Sequence, residues 1–106
     1  YSLHFYSGTH KSTLRDKFNY AINKKLPIIV SEFGVCDAET NTKLDLKEAE
    51  IWLNLLRKND ISIFNWSLSD KKEASSLLLP GSNSKKISDS CLSESGKFVK
   101  NQYKIY

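Results

Sequence analysis

With 106 residues, 40% of them apolar and 11% aromatic, the chain has the length for one small domain with a modest core and a composition that no disordered segment carries. Its formal charge of +4 comes from basic residues scattered through helix-like and loop-like stretches, not run together with aromatics, which argues against nucleic acid as a partner. The longest apolar runs, residues 28–30 and 77–79, are too short for a membrane-crossing helix.

Residues 1–7 alternate apolar or aromatic with polar side chains before Gly8, the pattern of a strand leaving into a turn, with His4 and Tyr6 near its end. Ser12 is placed to cap a helix over about 13–24, in which Leu14, Phe18, Ala21 and Ile22 share one face. Lys24 and Lys25 suit the negative end of its dipole. Pro27 closes that helix and opens a second strand, Pro-Ile-Ile-Val-Ser-Glu-Phe-Gly (27–34). Its apolar, β-branched run reads as a strand buried on both faces, as parallel strands covered by helices are. Glu32 falls at the carboxyl end of this strand, and Gly34 lets the backbone turn there. A glutamate in that place is either a solvated strand end or a held carboxylate, because burying one without a partner is costly.

Residues 37–43 read as a polar loop. Asp45 followed by Glu48 has capping-box spacing, with Asp in place of Ser or Thr, and the helix 46–58 sets Leu46, Ala49, Trp52, Leu53, Leu55 and Leu56 on a wide apolar face. Asn59 and Asp60 end it, and residues 61–66 form a third strand with Trp66 near its carboxyl end. From 67 to 93 Ser, Lys and Asp dominate around a Pro80-Gly81 turn, a loop of a length that is usually functional or disordered. A short last helix starts at Ser93 or Glu94 and runs through Phe98, Val99 and Tyr103.

Three strands alternating with three helical segments predict an α/β chain with a parallel sheet, and His4, Glu32 and Trp66 recur at about the length of one strand-plus-helix unit. Laid parallel, the strands bring His4 with Tyr6, then Glu32, then Trp66 to one edge. Singly, His4 reads as a hydrogen-bonded structural residue, Tyr6 as core with a satisfied hydroxyl, and Trp66 as packing. Beside a carboxylate, the three together make a site. Glu32 fits a nucleophile, a general base or a general acid, and a hydrogen bond from Tyr6 or His4 would hold it charged and oriented for attack. Retaining glycoside hydrolysis requires a second carboxyl group about 5 Å away. None of Asp37, Glu39, Asp45, Asp70 or Glu73 is a good candidate for it. Cys36 and Cys91 have no Cys or His at metal spacing, so no metal site is expected; they either pair as a disulfide or stay free thiols, the second being our expectation.

Four blocks carry a family likeness: Leu-His-Phe-Tyr (3–6) with Gly8-Thr9-His10, Leu-Arg-Asp-Lys (14–17), Pro-Ile-Ile-Val-Ser-Glu-Phe-Gly (27–34) and Asn-Trp-Ser-Leu-Ser-Asp-Lys (65–71). In that order they resemble the carboxy-terminal part of bacterial endo-β-1,4-glucanases, the cellulases of glycoside hydrolase family five. The likeness thins after about Ser82, where only Leu92-Ser93 and Gly96-Lys97-Phe98-Val99 still resemble the family's last helix. The resemblance implies that residues 1–106 are the carboxy-terminal part of a single catalytic domain, three βα units (strands six to eight) of a (β/α)8 TIM barrel that is incomplete on its own. It implies Glu32 as catalytic nucleophile, and His4 and Tyr6 as the pair that holds the nucleophile and the sugar beside it. Trp66 is implied as the platform under the glucosyl unit on the non-reducing side, with Lys71 and Glu73 as polar contacts further along; for these two, plain solvated loop charges are the alternative. Phe33 stands where many relatives carry Trp. The family's acid/base glutamate sits in an Asn-Glu-Pro tripeptide, which this sequence lacks, so the isolated chain is expected to be inactive. Implied partners are β-1,4-glucan chains and the remaining part of the barrel; secretion is implied, and no cofactor. The chain, with no initiator Met, looks like a piece cut from something longer. The rival expectation is a non-catalytic partial barrel that binds glucan or associates with itself.

Overall fold

The computed structural model describes residues 1–82 and 85–106. Its elements are β1 (Ser2–Tyr6), α1 (Ser12–Asn23), β2 (Ile29–Gly34), α2 (Leu46–Lys58), β3 (Ile63–Asn65), a 3₁₀ turn (Asp89–Cys91) and α3 (Glu94–Ile105). The strands form one parallel sheet in the order β1-β2-β3. Parallel neighbours need a crossover, and α1 and α2 supply the two crossovers. The predicted α/β pattern is therefore present, with β3 shorter than the 61–66 stretch expected.

One face of the sheet carries the core. Phe5 stacks on Phe33 at 5.5 Å between ring centroids and on Trp52 at 4.4 Å, and Phe18 of α1 meets Trp52 edge-on at 6.4 Å. Val30, Val35, Ala49, Leu53 and Leu56 complete this fully buried cluster. The α2 stripe legible in the sequence thus faces the sheet, and aromatic burial on this scale dominates the local energetics. Trp52 also donates its indole N–H to the His10 carbonyl at 2.6 Å, while Arg15 pairs with Glu48 at 2.6 Å across the two helices.

Two expectations need correction. The second strand is not buried on both faces: Ile29 is 38% exposed and Ser31 is exposed, because within this chain helices cover only one side. Ser12 does not cap α1; it is the first helical residue, preceded by Lys11, and no side chain caps that end. The Asp45 cap does form, accepting from Glu48 N at 3.1 Å, and it receives Lys11 Nζ at 2.8 Å.

The described residues between 67 and 93 form a loop, as expected, and it is tied together by backbone bonds. Ser67 N donates to the Ser75 carbonyl, Leu77 N to that of Ser67, and Leu78 pairs antiparallel with Leu92. Ser75, Ser76 and Leu78 are buried, and the hydroxyls of Ser93 and Ser95 both donate to the Ser76 carbonyl. Serines here satisfy buried backbone that lies outside a regular ladder. The start of α3 docks on this segment. At Gly96 a β-carbon would lie 2.0 Å from the Leu77 carbonyl oxygen, so no larger residue fits without moving backbone. Gly96→Ala is expected to destabilise the protein by about 1–3 kcal/mol, the usual cost of overpacking. Calorimetry should show a lower Tm; an unchanged Tm would mean that α3 does not seat this closely.

Candidate active site

The site is built by an irregularity in β2. Leu3 pairs with Val30, but the next pair is His4 with Glu32, so Ser31 is an extra residue in the ladder. Side chains on a strand alternate between faces, and strict alternation would put Glu32 on the same side as Val30, in the helical layer. The extra residue shifts the phase. Val30 and Phe33 both enter the core, and Glu32 turns to the open face beside His4 and Tyr6. Such bulges re-aim side chains near reactive centres.

On the open face Tyr6 donates its hydroxyl to Glu32 Oε1 at 2.5 Å, and His4 Nδ1 lies 3.9 Å from Glu32 Oε2. The other imidazole nitrogen, Nε2, meets Ser31 Oγ at 2.8 Å, and Ser31 in turn hydrogen-bonds Ser2. Burial, and next the hydrogen bond to Glu32, push the Tyr6 phenol far above its usual range, with the charges of Cys36 and Glu73 adding to the effect. Tyr6 therefore stays protonated and acts as a donor to the carboxylate. Gly34 makes this geometry possible, because a β-carbon there would sit 2.4 Å from two carbons of the Tyr6 ring. Behind the ring, Tyr6 N donates to His10 Nδ1 at 2.9 Å and His10 N to the Tyr6 carbonyl at 2.7 Å.

Trp66 directly follows β3. Its backbone N–H donates to the Phe33 carbonyl at 2.8 Å, so it stands beside the strand end that carries Glu32, and its side chain is 48% exposed. The Trp66–Ser67 peptide is cis. Lys71 is exposed in the following loop, and the hydrogen bonds and ion pairs of His4, Tyr6 and Glu32 described above do not include it. Glu73 is held from the side by Asn41, which donates to its Oε2 at 2.7 Å. Ser31 and Asn41 escaped the sequence reading, since a serine in a strand and an asparagine in a polar loop give no signal of their own. Both cysteines are free thiols, and burial pushes Cys36 up to about 11. Among the described residues no three His, Cys, Asp or Glu side chains cluster as a metal site would require.

Parallel strands with helices on one side, and a hydrogen-bonded carboxylate at a strand's carboxyl end, are the features of consecutive βα units such as a (β/α)8 barrel repeats. The family profile Cellulase (glycosyl hydrolase family 5) matches residues 1–72, and the chain belongs to that family. It is 47% identical over 103 residues to Endoglucanase N of Pectobacterium atrosepticum, covering 96% of this chain and 23% of that protein. Among solved structures it superposes on Cellulase Cel5C_n with a TM-score of 0.89 at 41% identity, covering 96% of this chain and 31% of the other. The catalytic domain of Thermobifida fusca endoglucanase Cel5A, solved with cellotetraose, matches with a TM-score of 0.90 at 24% identity, over 98% of this chain and 34% of that one, a likeness of fold. These neighbours are (β/α)8 barrels. The chain spans less than a quarter of the curated relative it matches.

Two outcomes test this geometry. Gly34→Ala should displace the Tyr6 ring from Glu32, so that the most elevated tyrosine in a spectrophotometric titration moves back toward about 10, the ordinary phenol value; an unmoved titration would show that the ring and Gly34 do not touch. In the loop after β2, Asp37 accepts from Thr40 Oγ1 and from the backbone N–H groups of Lys43, Thr40 and Thr42, which hold its carboxyl well below the usual range. A depressed folded value means the stabilisation is complete above the unfolded value, about 3.9, and is lost as pH falls below it. Hydrogen exchange at Thr40, Thr42 and Lys43 should accelerate, relative to the rest of the sheet, only below about pH 4.

Proposed function

We propose that this chain is the carboxy-terminal portion, strands six to eight with their helices, of the single catalytic barrel of a secreted, retaining endo-β-1,4-glucanase. The observation that carries this is the Tyr6 hydroxyl on Glu32 at 2.5 Å, on the sheet face turned away from the helices. A carboxylate so held is kept oriented and has one oxygen left to attack. Glu32 adds to the anomeric carbon of a β-1,4-linked glucosyl unit as the glycosidic bond breaks, giving a glycosyl ester. An acid/base carboxyl group from outside this chain protonates the departing oxygen and then deprotonates the water that hydrolyses the ester, since the Asn-Glu-Pro tripeptide is absent here.

The remaining residues take roles by position. His4, beside Glu32 Oε2, orients the carboxylate and the sugar next to it. Trp66, half exposed beside that strand end, offers an apolar plane to a glucosyl ring on the non-reducing side. Lys71 and Glu73, on the loop that follows, bind sugar hydroxyls beyond it. Secretion follows from a substrate too large to enter a cell. No cofactor takes part in this chemistry. Alone, with half of the carboxyl pair, the chain is inactive, and its open face, with Ile29 and Phe64 exposed, favours association with the rest of the barrel or with itself.

In an intact barrel carrying this segment, Glu32→Gln should lower kcat on a soluble β-1,4-glucan by about 10³-fold or more. A fluorinated glycoside that traps the ester should add its mass to the peptide containing Glu32. Undiminished turnover, or label on another peptide, removes Glu32 from the nucleophile role.

A further inference from the structure

Asn41 lies in the loop between β2 and α2 with φ 52, a left-handed backbone that asparagine adopts more readily than most residues. Its side chain is fully engaged. Nδ2 donates to Glu73 Oε2 and to Ser75 Oγ, both at 2.7 Å, while Oδ1 accepts from Ser75 N at 2.7 Å and from the Cys36 thiol at 3.3 Å. Its backbone carbonyl accepts from Ala74 N at 2.9 Å. The partners fix which way the amide points: the carboxylate needs a donor and the Ser75 N–H needs an acceptor. An ionised carboxylate lacks the donor, and a hydroxyl is too short to reach both.

The tie lies close to the glucan-binding side proposed above. Ser75, fastened to Asn41, accepts through its carbonyl from the N–H of Ser67, the residue after Trp66. The loop that bears Lys71 and Glu73 is therefore clamped onto the loop that leaves the Glu32 strand, and the Glu73 charge reaches as far as the Tyr6 phenol and the Cys36 thiol. With Oε2 held by Asn41, the second oxygen of Glu73 has one defined position.

We propose that Asn41 is a positioning residue for the sugar-binding loop: it fixes the Glu73 carboxylate on the loop that follows Trp66 and so sets affinity for glucan units beyond the cleaved pair, without touching substrate itself. This rests on the glucanase reading above. Replacing Asn41 by Asp keeps the shape and the tolerance for a left-handed backbone but sets two carboxylates at hydrogen-bond distance, where both cannot remain ionised and in place. Replacing it by Gly keeps the backbone and removes the clamp.

The test uses an intact barrel carrying this segment, with cellotriose to cellohexaose as substrates and Tm measured for each variant. Asn41→Asp and Asn41→Gly should each raise KM for the longer oligosaccharides about tenfold, the loss of one hydrogen bond to a charged group. The change in kcat should be smaller than twofold, an order-of-magnitude bound from the same arithmetic. Glu73→Ala should do the same, and Asn41→Gly should add little to it, because both remove one coupled pair. If Glu73→Ala raises KM but neither Asn41 variant does, the positioning role falls while the glucan reading stands. If Glu73→Ala leaves KM unchanged at every length, the assignment of Glu73 to sugar binding falls and takes this one with it. A parallel collapse of kcat, KM and Tm in both Asn41 variants would show Asn41 to be a structural residue alone.

Discussion

The site depends on one extra residue. Without the bulge, in a regular ladder that paired Ser31 with His4, the glutamate would share a face with Val30 and point into the layer where Trp52 and Leu53 pack, an uncompensated carboxylate among apolar side chains. With it, Val30 and Phe33 both reach the core although they are three apart, and the acidic side chain between them emerges on the other face. The same residue also serves the site directly, because its hydroxyl meets His4 Nε2. One irregularity thus sets the phase of the strand and orients the imidazole next to the carboxylate.

The core exists to hold that phase. Phe5, Phe33 and Trp52 stack through sheet and helix, so neither strand can slip by a residue without withdrawing a ring from the stack. The cost of such a slip, several kcal/mol for a large buried ring, exceeds any gain at the strand ends. Tyr6 and Glu32 are then brought within hydrogen-bond distance by register alone, and Gly34 supplies the room for the phenol. The helical side of the sheet fixes position, and the open side presents the carboxylate with its tyrosine and histidine partners.

Much of this was legible in the sequence. The order of strands and helices, the apolar stripe of α2, its Asp45 cap and the meeting of His4, Tyr6 and Glu32 follow from hydrophobic period and from the rule that parallel strands share a carboxyl edge. What was not legible has physical causes. A bulge leaves the composition of β2 unchanged, so Pro27 to Gly34 reads as a regular strand buried on both faces. Burial on both faces also needs a second layer, which this chain does not itself provide. The stretch from 67 reads as loop because its order comes from serine hydroxyls bonded to backbone, a pattern with no period, and Asn41 ties that stretch down through Glu73 and Ser75, both more than thirty residues away.

The two loops at the strand ends also explain why the side proposed to bind sugar is so polar in sequence and yet well placed. A loop such as 67–77 loses conformational freedom on ordering, and only bonds that satisfy its own backbone can offset that loss. Asn41, Ser75, Ser76 and Ser93 do this from the side facing the protein, leaving the outward side free of structural duty. Charged groups on that outward side, such as Lys71, need not contribute to the fold, and Glu73 contributes through only one of its oxygens. Trp66, proposed above as a platform, gains from this arrangement, since the chain on both sides of it is anchored, through Asn65 to the Phe33 carbonyl and through Ser67 to the Ser75 and Leu77 backbone. Its ring can remain half exposed without becoming mobile, which is the condition for stacking on a sugar at low entropic cost.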